Sequence, residues 1–78
     1  MTFWRSLSGE VLVELITADP AGSLAAIAQM GLPISEVLPQ EELTLSFRAR
    51  RRDLKILERM AAKRGETLTV LRHLGLYY

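Results

Sequence analysis

The chain has 78 residues, 49% hydrophobic and 24% charged, with a net charge of +1 and no cysteine. That length accommodates one domain, 1–78, with a thin core, because a chain of this size buries roughly 60% of the surface its unfolded form exposes. The composition excludes intrinsic disorder, a disulfide framework and a thiolate metal site, and the near-neutral balance announces neither a nucleic-acid nor a membrane partner in bulk.

Glu10 to Thr17, EVLVELIT, is β-branched and apolar, with Glu10 and Glu14 on one face and Val11, Val13 and Leu15 on the other. It reads as a first strand. Asp19 is an N-cap ahead of Pro20 at the first helical position, and Leu24, Ile27 and Ala28 recur at helical spacing until Gly31 offers a stop. Ile34 to Leu38 is a weaker extended segment, read as an edge strand because Pro39 cannot donate to a ladder, with Pro39 to Glu41 as a turn. Leu43, Leu45, Phe47 and Ala49 alternate with Thr44, Ser46, Arg48 and Arg50, the mark of a strand with one buried face. From about Arg52 to Arg64, the stripe Leu54, Leu57, Met60 and Ala61 predicts an amphipathic helix, closed by Gly65 as a left-handed cap. Thr67 to Arg72 has the composition of a closing strand, with Leu68 and Val70 on one face, and His73 to Tyr78 reads as a short tail.

Two strand-helix-strand units joined by a hairpin predict an α+β, ferredoxin-like split βαβ domain (βαββαβ), a four-stranded antiparallel sheet with two helices on one face. Strands one and three take its centre. Leu43, Leu45 and Phe47 then lie under the helices and Thr44, Ser46 and Arg48 face outward. Glu14 or Glu10 can oppose Arg48 across the ladder, a pair contributing about 0.2 to 1 kcal/mol and helping to fix register. Leu12, Ile16 and Leu71 leave apolar surface on that open face, and Phe3 and Trp4 are placed to fold back over it.

The densest charge feature comprises Arg48, Arg50, Arg51, Arg52, Lys55, Arg59, Lys63 and Arg64. Within it, Arg52, Lys55, Arg59 and Lys63 gather on one side of the second helix as a candidate basic surface for phosphates or anionic lipid. The competing expectation is a solvated helix face on which Asp53 and Glu58 make local pairs. Sequence-specific nucleic-acid binding is not expected: the open sheet face carries no aromatic for base stacking, and Phe47 has the parity of a core residue. His73 alone cannot make a zinc site, the serines lack an elbow or base, and the glycines form no phosphate loop, so neither an enzyme nor a cofactor is expected. No apolar run approaches the roughly 20 residues of a membrane-spanning helix.

The stretch from Asp19 through Pro20, Gly22, Leu24 and Ile27 to Gly31 resembles the first strand-to-helix corner of ACT domains, small regulatory modules of the same topology that bind amino acids at domain interfaces. That resemblance implies a ligand corner at Asp19, Pro20 and Gly22 and pairing with a second copy. Over nearly the whole chain, Trp4, Leu7-Ser8-Gly9, Val11, Val13, Pro20, Leu24, Gly31, Asp53-Leu54, Leu57, Arg64-Gly65, Val70 and Gly75-Leu76 are similar to the N-terminal region of the sporulation protein YqfD family. The resemblance implies the soluble part of a membrane-associated protein of endospore-forming bacteria, held at the cytoplasmic side, without enzymatic activity and acting on a protein partner. Members commonly have Gly-Leu-Pro-Phe where this chain has Gly75-Leu76-Tyr77-Tyr78. The aromatic ending is expected to lead, in the parent gene, into basic residues and a membrane segment.

Overall fold

A computed structural model describes residues 9–41 and 43–74. They form β1 (Glu10–Ile16), α1 (Pro20–Gln29), β2 (Ile34–Glu41), β3 (Thr44–Arg50), α2 (Leu54–Arg64) and β4 (Thr67–Leu74). The sheet runs β2-β3-β1-β4 with every pairing antiparallel, the ferredoxin-like arrangement expected, with β1 and β3 at the centre.

Alternation along the central strands decides the core. Val11, Val13 and Leu15 of β1 and Leu45, Phe47 and Ala49 of β3 point to the same face, where Ile27 of α1 and Leu57, Met60 and Ala61 of α2 cover them. Phe47 is 0% exposed, as its parity required, and Arg48 faces the other side. Leu68 and Val70 extend the apolar layer into β4, opposite Leu15 and Val13.

Both helices are bounded by local chemistry. The Asp19 carboxylate accepts the Gly22 N–H at 3.1 Å and caps α1, with Pro20 at its first turn, and the helix closes through Gly31 N–H to the Ala28 carbonyl. Gly65 ends α2 at φ 73°, a left-handed conformation in which a Cβ is strained. A single 3-10 turn, Arg51–Asp53, precedes α2, so the regular helix starts later than Arg52.

Other expectations are corrected. Leu43 is 54% exposed rather than under the helices, because the hairpin turn occupies it and β3 begins only at Thr44; its carbonyl accepts the Thr17 N–H instead. Pro39–Glu41 is not a turn but the end of β2, where Pro39 pairs with Leu45 on an edge strand that needs no donor from it. β2 reaches this length through register shifts, with Glu36 at φ 50°. Ala28 is exposed and Ser23 takes the inward position on α1. Ser46 is buried although its side faces outward, since Gln40 Nε2 donates to its hydroxyl at 2.9 Å. β4 continues through His73 and Leu74 after a bulge opposite Leu12 and Val13, so these residues are not a tail. Phe3, Trp4 and the Gly75–Tyr78 ending lie outside the described residues.

Candidate functional site

The basic cluster of the sequence divides into two sets in space. Arg48 pairs with Glu10 at 2.6 Å and with Glu36, and these contacts, Glu36 foremost, push its pKa upward. The ladder sets Leu12 opposite Arg48 and Ser46 opposite Glu14, so Glu10 reaches Arg48 along the diagonal and Glu14 does not pair with it. Arg50 grips Asp53 through Nε at 2.8 Å and Nη2 at 3.3 Å, and Asp53 is buried. Arg64 turns inward to Glu66 at 3.1 Å and Asp19 at 3.6 Å.

Arg52, Lys55, Arg59 and Lys63 behave differently. All four are exposed, and none makes an ion pair with a described residue. Lys55, Arg59 and Lys63 follow one another at i, i+4 and i+8 on α2, each rotated by about 40° on the helical wheel, and Arg52 stands in the 3-10 turn that leads into the helix. The acids expected to neutralise this face do not. Asp53 is consumed by Arg50, and Glu58, the one acid within α2, is exposed and makes no ion pair with a described residue. Beside the basic stripe, a groove of about 320 Å³ runs between the helices over Ala26, Met30, Ile56 and Met60, bordered by Arg59, Lys63 and Arg64.

The second candidate, the corner at Asp19, Pro20 and Gly22, is a built polar network whose main members the sequence argument did not single out. Glu66 Oε2 accepts from Thr17 Oγ1 at 2.6 Å, Ser23 Oγ at 2.8 Å and Arg64 Nε at 3.1 Å. Its side chain is only 6% exposed, and Oε1 is buried with no hydrogen-bond partner among the described residues. Burial pushes the carboxyl upward, but the donations from Thr17, Ser23 and Arg64 outweigh it and hold the Glu66 pKa below the ordinary glutamate range. Thr17 also accepts the Asp19 N–H at 3.0 Å, tying the end of β1 to the start of α1. A Cβ on Gly22 would lie 2.1 Å from Asp19 Oδ2 and 2.8 Å from Arg64 Nη2, so glycine there is a condition of the close approach. The signals for the missed members were present: Thr17 continues the inward parity of Val11, Val13 and Leu15, and Ser23 lies four residues before Ile27. Next to this corner, a cavity of about 330 Å³ is lined by Ile16, Leu43, Asp19, Arg64 and Glu66, among others.

The open sheet face carries a basin of about 570 Å³ between Leu12, Glu14, Gln40, Thr44, Ser46 and Leu71, with no aromatic among the described residues that line it. Among the described residues there is no group of three or more His, Cys, Asp or Glu able to hold a metal, and no helix is long and apolar enough to cross a membrane. No protein-family model matches the chain, and no curated protein matches it.

Proposed function

We propose that this chain is a non-catalytic interaction domain whose Arg52, Lys55, Arg59 and Lys63 face meets an anionic surface, the cytoplasmic leaflet of a bacterial membrane. One observation carries the proposal: Lys55, Arg59 and Lys63 on one face of α2, and Arg52 in the turn before it, are exposed and make no ion pair with a described residue, while Arg48, Arg50 and Arg64, from the same stretch of sequence, are bound to acids. Unpaired cations give up no internal partner on binding, and each near an anionic leaflet contributes about 1 kcal/mol. Co-sedimentation with phosphatidylglycerol-containing and pure phosphatidylcholine vesicles, at low and high salt, tests it. Retention on the anionic vesicles alone, weakened in high salt, is expected; equal retention on both leaves the face as solvated surface.

Membership of a YqfD-like membrane-associated sporulation protein belongs to the same proposal, supported by the ordered matches from Trp4 to Leu76. The reading frame beyond Tyr78 tests it. Basic residues followed by about 20 apolar ones are expected, and a continuation without a membrane span removes the assignment.

A second reading, an ACT-like regulatory domain that binds a small molecule such as an amino acid, is favoured by the cavity beside Asp19 and by the unpartnered Glu66 Oε1. Within that reading, Asp19 already occupies the Gly22 N–H of the corner, so a ligand must use Arg64, Glu66 and the cavity wall. Thermal-shift screening against the amino acids separates the two, since a ligand at 100 times its Kd adds about 2.7 kcal/mol to stability.

A further inference from the structure

The basic stripe and the groove between the helices share Arg59 and Lys63, so a body that touches one reaches the other. The groove floor is apolar, and two of its members, Met30 and Ile56, are 39% and 40% exposed. Large apolar side chains standing beside unpaired cations form an amphipathic surface of the kind that lies in a headgroup layer, its apolar part at the acyl boundary and its cations at the phosphates. Met30 and Met60 add unbranched, conformable side chains, which suit an occupant without fixed shape.

We infer that the groove between α1 and α2 is the apolar half of the membrane-binding surface: it receives the acyl region of an anionic phospholipid, with Met30 and Ile56 entering the interface and Arg59 and Lys63 meeting lipid phosphate. The inference rests on the proposal that the basic face meets an anionic membrane, and it adds the orientation and a binding component that salt does not remove. Charge complementarity names the occupant as anionic. Among the described residues no acid or hydrogen bond holds Arg52, Lys55, Arg59 and Lys63 in one geometry, which favours a continuous anionic leaflet over an acidic peptide that needs charges placed in register. The apolar side chains of the open sheet face, Leu12 and Leu71, have Glu14 beside them, so that face is the poorer match to an anionic leaflet.

Because the chain contains no cysteine, a single label can be placed at will. Ile56→Cys and, as a control on the opposite face, Leu71→Cys each carry an environment-sensitive fluorophore, with circular dichroism confirming the fold. On phosphatidylglycerol-containing vesicles the label at position 56 is expected to shift to the blue and the label at position 71 to stay unchanged. Part of the retention of the unlabelled protein is expected to survive high salt and to fall about tenfold in Met30→Gln/Ile56→Gln. A shift at 71 rather than 56, no shift at either, or unchanged retention of the double variant overturns the inference while salt-sensitive binding still supports the basic face. Absence of any preference for anionic vesicles at low salt overturns both.

Discussion

Lys63 and Arg64 are adjacent in sequence and opposite in role. Arg64 packs over the β1–α1 corner, bridging Asp19 and Glu66, whereas Lys63, turned about 100° around the helix, is exposed and makes no ion pair with a described residue. The same division separates Arg50, bound to buried Asp53, from Arg52 two residues on. A run of cations is therefore not one feature. Those that meet acids brought by other elements become part of the structure, and those in the remaining helical sector keep their full charge for a partner.

Both regions stand on the shared core, so Phe47→Ala should cost about 3 to 5 kcal/mol in urea unfolding and weaken them together. Replacing Arg52, Lys55, Arg59 and Lys63 by Gln should remove up to about 4 kcal/mol of anionic-vesicle binding. The same variant should unfold within about 0.5 kcal/mol of the parent, since surface positions without partners contribute little to stability. A large loss of stability would show that the face is structural after all. Glu66→Ala should do the reverse: it removes the carboxylate that accepts from the Thr17 and Ser23 hydroxyls, costs about 1 to 3 kcal/mol of stability, and leaves vesicle binding unchanged.

Acid sharpens the comparison further. The folded pKa of Glu66 is depressed, so its stabilising contribution is fully present above the ordinary glutamate pKa and is lost as pH falls through the lower folded value. Urea midpoints followed downward through that window should fall more steeply for the parent than for Glu66→Gln; parallel curves would remove Glu66 as the source. The smallest effect is expected at Arg48→Met, whose pairs with Glu10 and Glu36 lie on a partly exposed surface and should account for about 1 kcal/mol or less.

Much of the architecture was legible because strand parity and helix phase are local. The alternation from Thr44 to Arg50 gave Phe47 to the core, Asp19-Pro20 started α1, and Gly65 ended α2. The basic sector of α2 was legible for the same reason: Lys55, Arg59 and Lys63 share a face by their numbers alone, with Arg52 in the turn just before it. Leu43 misled because its alternation with Leu45 holds only while the chain stays in the ladder, and the hairpin turn removes it. Ser46 misled because its burial comes from Gln40 on the neighbouring strand.

Local pattern sets the order of elements, the inward face of each central strand and the α2 sector that carries Lys55, Arg59 and Lys63, with Arg52 just before it. Which cations pair with described acids, and where Glu66 goes, depends on how distant segments pack together. The reason is distance along the chain: Thr17, Ser23 and Glu66 converge because β1 and β4 are neighbours in the sheet and α1 starts where β1 ends. No local period encodes such a meeting, and it draws Arg64 inward to Glu66 and Asp19 while Lys63 stays on the open face of α2.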